Sequence, residues 1–159
     1  MPFYINTQNQ DSSREIARVL EKCIQRHKKD WSEIVFLCIG SDRVTGDCLG
    51  PYVGYRLSQY QIPGIFVYGT LNQPVHAVNL SHITDSIASA HPSALVIAID
   101  ASLGEKRHLG YVSIGNGSLY PGAAVQKDLP PVGDIYITGI VNIAVIQEYL
   151  ALQTTRLST

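Results

Sequence analysis

The fold of this chain is decided around one stretch, Cys38-Ile39-Gly40-Ser41-Asp42-Arg43-Val44-Thr45-Gly46-Asp47-Cys48-Leu49-Gly50-Pro51. The apolar run Ile34–Ile39 that leads into it predicts a strand that is covered on both faces. The helical spacing of Leu49, Val53 and Leu57 predicts a helix over residues 49–60, whose first turn tolerates Pro51. A strand, a turn and a helix thus follow one another. In α/β proteins, functional sites usually lie in such loops at the carboxyl ends of strands.

The rest of the chain continues this alternation. Helical spacing predicts further helices over residues 13–29, 79–91 and 141–152, and short apolar runs predict strands over 65–70, 94–99, 110–115 and 135–139. Ser12 and Glu15 are typical of a capping box, and Asn79 of an N-cap. Residues 116–134, rich in glycine and proline, predict a long loop that is functional or mobile. Residues 1–11 are expected to form a loose arm, and residues 153–159 a frayed tail.

This order of elements predicts one domain over residues 1–159. The fold class is α/β, with a three-layer α/β/α architecture and a mainly parallel sheet of the phosphorylase/hydrolase-like type. Right-handed crossovers would place helices 49–60 and 79–91 on opposite faces of the sheet. Strand 34–39 would then lie between strands 65–70 and 94–99.

Composition excludes several classes of protein. The net charge is −1 and no basic stripe is present, so nucleic-acid binding is not expected. No apolar run reaches transmembrane length and the polar N-terminus is unlike a signal peptide, so we expect a cytoplasmic protein with no membrane partner. Cys23, Cys38 and Cys48 are predicted to be reduced, with Cys48 a buried thiol rather than a nucleophile. No cofactor is predicted, and the oligomeric state, including a homo-oligomer, is left open.

Acidic residues follow two strands that are predicted to be neighbours. Asp42 and Asp47 come after strand 34–39, and Asp100 ends strand 94–99. Since adjacent strands lie about 4.8 Å apart, at least two of these acids would share one crevice. Two close carboxyl groups do not both ionise easily, so they share a proton. Such a pair can activate water as base and acid, or hold a metal ion.

Each of these residues also has a plainer interpretation. Asp47 would cap helix 49–60, and Asp42 is most simply an Asx-turn residue. His76 follows strand 65–70 and either reaches the same edge or bonds to nearby backbone. Arg43 either binds a substrate carboxylate or pairs with Asp42. The sequence leaves these alternatives open.

Longer motifs resemble the YyaC family of sporulation proteins. The residues that carry this resemblance, spread over about 33–148, are Ile39-Gly40-Ser41-Asp42-Arg43-x-Thr45-Gly46-Asp47-x-Leu49-Gly50-Pro51, Gly69-Thr70-Leu71-x-x-Pro74-Val75-His76-Ala77-x-Asn79-Leu80, Ile99-Asp100-Ala101-Ser102-Leu103-Gly104 and Gly133-Asp134-x-x-Ile137-Thr138-Gly139-Ile140-Val141-Asn142. The resemblance implies a protein of the sporulating cell of a spore-forming bacterium.

That family is in turn similar to the germination protease, an atypical aspartic-type endopeptidase, whose proposed catalytic aspartates match Asp47 and Asp100. The resemblance implies a peptide or protein substrate. Our leading hypothesis is a peptidase with this acid pair as catalytic residues and with a substrate-binding set comprising Asp42, Arg43, Thr45, Gly46 and His76.

A more distant likeness is to the hydrogenase maturation endopeptidases, which hold a metal with two acids and a histidine. Tyr136 stands here where those enzymes have the histidine. Two alternatives therefore remain beside the peptidase. One is a metal-dependent hydrolase using Asp47, Asp100 and His76, and the other is a module that binds a peptide or partner without turnover.

Overall fold

A six-stranded sheet forms the centre of the protein. The computed structural model describes residues 1–121, 129–143 and 152–158. In spatial order β1-β5-β6-β4-β2-β3, β6, β4, β2 and β3 run parallel and β5 is antiparallel to both of its neighbours. The prediction of a mainly parallel sheet is confirmed. The strands are β1 Phe3–Asn6, β2 Glu33–Cys38, β3 Ile65–Tyr68, β4 Ala94–Gly104, β5 Tyr111–Asn116 and β6 Ile135–Ile143.

Helices cover both faces of this sheet. The helices are α1 Ser12–Arg26, α2 Leu49–Leu57 and α3 Leu80–Ala90. Apolar residues of α1 and α2 pack in one core cluster with Cys38, Ile97 and Ile99, whereas those of α3 pack in a second cluster with Val35, Leu37 and Ala98. The two clusters lie on opposite sides of the sheet, which confirms the three-layer architecture and the placement of the two crossover helices.

The strand order predicted around β2 is also confirmed, because β2 pairs with β3 on one side and β4 on the other. The predicted end of strand 94–99, which is β4 in the structure, is wrong. The last pair between β2 and β4 is Cys38 with Ile99, but β4 continues to Gly104 by pairing with β6. Asp100 therefore lies inside a strand, one residue beyond the point where β2 stops.

The extension of β6 corrects another boundary. A strand was predicted over residues 135–139 and a helix from Val141, but β6 runs to Ile143 because β4 supplies a partner for its backbone. Residues 144–151 of that predicted helix lie outside the described residues. The long loop also has an ordered base, since Leu119 and Val132 exchange backbone hydrogen bonds of 2.7 and 2.9 Å.

Both termini are more ordered than predicted. The expected loose arm contains β1, which pairs with β5 and buries Ile5. In the expected frayed tail, residues 153 and 154 are helical and Thr155 is buried, within 3.2 Å of the Asn142 side-chain amide. The predicted capping box is wrong, because the Ser12 hydroxyl donates to the Thr7 carbonyl instead of capping α1. Tertiary contacts order both segments, although their local sequence gives no such signal.

Glycines allow α2 to lie directly on the backbone of the sheet. A Cβ atom at Gly54 would lie 1.8 Å from the Gly69 carbonyl oxygen, and one at Gly50 would lie 2.0 Å from that of Ile39. These glycines are four residues apart and so share one face of the helix. Their close approach fixes the turn that precedes α2. In the part of the chain that the structure describes, none of the helices combines the length and hydrophobicity that a membrane crossing requires.

Candidate functional site

A cavity of about 110 Å³ lies beyond the end of β2. Its polar lining includes both Asp47 and Asp100, together with His76. The predicted meeting of acids from two neighbouring strands therefore takes place. Much of the remaining wall is aliphatic and includes Ile39, Ala77, Leu103, Leu119, Leu129 and Leu152.

Asp100 is the more deeply buried of the two acids. Its side chain projects from the same face of β4 as Ala98, toward the α3 side of the sheet, and only 8% of the residue is exposed. Burial raises the pKa of this carboxyl well above its usual range, and the nearby Asp47 charge raises it further. The Ala101 N–H donates to Asp100 Oδ1 at 2.8 Å and opposes these effects. Asp100 is therefore set up to hold a proton.

Asp47 closes the one-turn 3₁₀ helix Thr45–Asp47 that leads into α2. Burial raises the pKa of its carboxyl to about 6, while a hydrogen bond from the Ser41 N–H lowers it. The capping interpretation is not supported, because Cys48 rather than Asp47 occupies the N-cap position of α2. The turn is tight: its Asp47 carbonyl accepts the Ser41 N–H at 2.9 Å and lies 2.1 Å from where a Cβ of Gly40 would be.

The two carboxyl groups are prepared for different protonation states. Asp47 loses its proton near pH 6, whereas the raised pKa of Asp100 lies further from its usual value. Asp47 is therefore the better suited of the two to be the carboxylate, and Asp100 to be the carboxylic acid. Since Oδ1 of Asp100 already accepts the Ala101 N–H, Oδ2 is the natural position for the proton. This pairing provides one base and one acid in a single cavity.

His76 reaches the cavity, but it also has the backbone partner that the plainer interpretation required. Its Nδ1 accepts the Val78 N–H at 3.3 Å, so the neutral ring carries its hydrogen on Nε2. The predicted metal alternative needs His76 to converge with Asp47 and Asp100. Within residues 1–121, 129–143 and 152–158, no group of three His, Cys, Asp or Glu side chains is placed to hold a metal ion.

The other predicted binding residues lie outside this cavity. Asp42 and Arg43 are exposed, and the turn is formed by Ser41, whose hydroxyl accepts the Arg43 N–H at 3.2 Å. Thr45 lines a separate cleft beside Cys48 and Tyr52. Gly46 is buried, and a Cβ there would lie 2.4 Å from the Leu152 carbonyl oxygen. Of the seven predicted site residues, the structure brings together Asp47, Asp100 and His76.

Two hydroxyl groups were missed by the sequence analysis. Thr138 stands opposite Asp100 in the register of β6 and β4, and Ser102 is two residues further along the same face of β4. Both line the cavity. The period of two along β4 would have revealed Ser102 if the strand had been extended past Ile99, whereas the pairing that brings Thr138 to Asp100 has no local signal.

Cys48 was predicted to be a buried thiol, but it is only partly buried. Burial raises its pKa, the Asp47 charge adds to this effect, and its Sγ donates to the Thr45 carbonyl at 3.0 Å. Cys23 and Cys38 are buried, and burial raises the Cys38 pKa to about 12. All three cysteines are free, in agreement with the prediction of reduced thiols.

Comparison with known proteins places the sequence in a family. Residues 4–159 match a family described as protein of unknown function (DUF1256). The chain belongs to the DUF1256 family. It is 46% identical over 155 residues to a protein named uncharacterized protein YyaC from Bacillus subtilis (strain 168), with 98% of this chain and 75% of that protein covered. The predicted resemblance to YyaC is confirmed over nearly the whole chain.

The acid pair should make this DUF1256 family member less stable as the pH rises. Unfolded Asp47 releases its proton near the ordinary pKa of 3.8, but the folded protein keeps it until about pH 6. Between these values the folded state binds more protons, so rising pH favours unfolding. The raised pKa of Asp100 extends the effect upward. We expect a loss of about 1.4 kcal/mol per pH unit for each retained proton, measurable by urea unfolding.

The test variant carries both Asp47→Asn and Asp100→Asn. The control variant carries Asp85→Asn alone. The double variant should lose most of the pH slope, because asparagine does not titrate. Asp85 is exposed on α3 and away from the cavity, so its substitution should leave the slope unchanged. Equal slopes in the wild-type protein and the double variant would show that the acids are not protonated in the folded state.

Proposed function

We propose that this protein is a sporulation-associated peptidase that hydrolyses peptide bonds with Asp47 and Asp100. One observation above all supports this: both carboxyl groups line the same cavity, and burial and mutual repulsion keep one of them protonated. A shared proton between two carboxyl groups is the arrangement that aspartic proteases use. The resemblance of the Asp47 and Asp100 motifs to the germination protease supports the same reaction, and the likeness to YyaC supports a role in the cytoplasm of sporulating cells.

The proposed reaction uses the two groups in opposite roles. The Asp47 carboxylate removes a proton from water, whose oxygen attacks the carbonyl carbon of the substrate. The Asp100 carboxylic acid then donates its proton to the amide nitrogen as the C–N bond breaks. The products are a carboxylic acid and an amine, and transfer of the proton from Asp47 to Asp100 restores the starting state. The overall reaction consumes one water and needs no other reactant.

Neighbouring residues suit this chemistry. Ser102 and Thr138 offer hydroxyl groups beside Asp100 that can orient the water or the substrate carbonyl. The aliphatic walls exclude bulk water, which strengthens the interactions of the developing charges. The described parts of the predicted long loop, at Leu119–Pro121 and Leu129, contribute to this wall. A loop that lines the cavity is in a position to select the substrate.

The test is incubation of the purified protein with a library of synthetic peptides of diverse sequence, with products identified by mass spectrometry. We expect cleavage whose rate rises with pH as Asp47 ionises near pH 6 and falls again as Asp100 ionises. The Asp47→Asn, Asp100→Asn double variant, purified identically, controls for contaminating proteases.

Three other outcomes would contradict the proposal. Peptides that bind but stay intact during long incubation would favour the binding module. Cleavage that is lost with a chelator and restored by a divalent cation would favour the metal-dependent hydrolase. Equal cleavage by the double variant would exclude the acid pair as the catalyst.

A further inference from the structure

Strand β3 forms one edge of the sheet, and among the described strands it pairs only with β2. The Gly64 carbonyl accepts the Ile34 N–H at 2.9 Å, and alternate residues of a parallel strand face the same neighbour. The backbone groups of Phe66 therefore face β2. The N–H and C=O of Val67, and the C=O of Ile65, point away from the sheet. Within the described residues no other strand pairs with these groups, so they can hold another extended chain.

Apart from its short length of four residues, this edge lacks the features that usually prevent such pairing. The strand Ile65-Phe66-Val67-Tyr68 contains no charged residue and no proline. Two clefts flank it, one of about 550 Å³ lined by Tyr60, Ile62 and Phe66, and one of about 530 Å³ lined by Thr70, Gln73 and His76. Neither lining includes Lys, Arg, Asp or Glu among the described residues. Such a surface suits recognition of a main chain with apolar or aromatic side chains.

The two clefts share lining residues with each other and with the cavity of the acid pair. Val67 lines both clefts, and His76 lines both the second cleft and the cavity that contains Asp47 and Asp100. A chain that pairs with β3 would thus be led past His76 to the carboxyl groups. A second copy of the protein could pair with β3 as well, but pairing of copies would not account for this continuity.

We infer that the substrate peptide binds as an added strand along β3, held by the outward backbone groups of Ile65 and Val67. The inference rests on the proposed function, which supplies the peptide. It adds that recognition depends mainly on the main chain of an extended, largely apolar segment. Specificity for side chains would come from the clefts on either side of β3.

The test uses intact library peptides that the protein is able to cleave. Each is synthesised with a methyl group on one backbone nitrogen, and KM is measured for each. In strand pairing, one peptide N–H donates to the Ile65 carbonyl and the N–H two residues away donates to the Val67 carbonyl. We expect KM to rise about tenfold at these two positions and to change little at the position between them. The intervening position is the matched control, because its N–H points to solvent. Equal effects at all three positions would overturn the inference.

A substitution in the protein tests the same contact from the other side. Val67→Pro removes an N–H that β2 does not use, and proline is tolerated at such edge positions. We expect a KM about tenfold higher with kcat near the wild-type value. An unchanged KM in a folded Val67→Pro protein would overturn the inference. If that variant does not fold, the pattern of N-methylation decides alone.

Amide hydrogen exchange separates the remaining outcomes. Protection of the Val67 N–H only in the presence of a library peptide supports the inference. Protection without peptide, in a protein that sediments as a dimer, would show that a second copy occupies the edge and would overturn it. Peptides that protect Val67 but are never cleaved would support strand addition while contradicting the peptidase function.

Discussion

Asp100→Asn is expected to lower the rate of peptide cleavage by about 10²–10⁴-fold, the usual contribution of a general acid or base. The asparagine side chain has nearly the same shape, and its carbonyl can still accept the Ala101 N–H. It has no carboxyl proton to donate to the leaving amine. Initial rates on one cleaved peptide, measured near neutral pH for the wild-type protein, Asp100→Asn and Asp85→Asn, would test this.

Stability distinguishes a catalytic role from a structural one. Because the buried Asp100 carboxyl is unfavourable when charged, Asp100→Asn should unfold at a higher urea concentration than the wild-type protein at alkaline pH. Asp85→Asn should match the wild-type protein in both rate and stability. Loss of activity together with loss of stability would instead assign Asp100 a structural role, and the proposed acid would have to be sought elsewhere.

Gly54→Ala is expected to lower the free energy of unfolding by about 3 kcal/mol or more, because α2 would have to move away from the sheet. The added Cβ would lie 1.8 Å from the Gly69 carbonyl oxygen and 3.2 Å from the Cys38 Cβ. Backbone on the opposing strand cannot yield as a flexible side chain can. Helix propensity alone predicts the opposite sign, since alanine is favoured over glycine by about 1 kcal/mol in a helix. Urea unfolding therefore separates the two effects clearly.

Gly64→Ala provides the control for this substitution. Gly64 has φ of 79°, but a Cβ there would have no atom within 4 Å. Only the backbone conformation opposes the change, at a cost of about 1–2 kcal/mol. A Gly54→Ala protein no less stable than Gly64→Ala would mean that α2 does not lie as close to β3 as the structure shows.

Local sequence patterns were informative where a segment's own periodicity sets its structure. The apolar run at β2 and the helical spacing of α2 placed Asp47 in a turn at a strand end, and the crossover rule made β2 and β4 neighbours. These two inferences brought acids that follow β2 and β4 to one crevice, and the resemblance to the germination protease then singled out Asp47 and Asp100. The boundaries of β4, β6 and β1 could not be predicted from local patterns, because each depends on a partner strand that is distant in the chain.

The candidate binding residues show the same difference between nearness in sequence and nearness in space. Asp42 and Arg43 are next to the acid turn in sequence, yet they are exposed and outside the cavity. Thr138 is 38 residues from Asp100 in the numbering, yet it is its partner in the register of β4 and β6. Proximity along the chain was a poor guide to which side chains would surround the carboxyl groups.

By itself, the sequence determined the α/β architecture and the order of the strands around β2. These depend on hydrophobic periodicity and on chain chirality, which are local or nearly local properties. The tertiary structure alone decided that Ser102, Thr138 and aliphatic side chains would enclose the acids, and that burial would raise the pKa of both carboxyl groups. The physical reason is that a carboxyl pKa depends on the water and charges around the group, and packing of distant segments sets both.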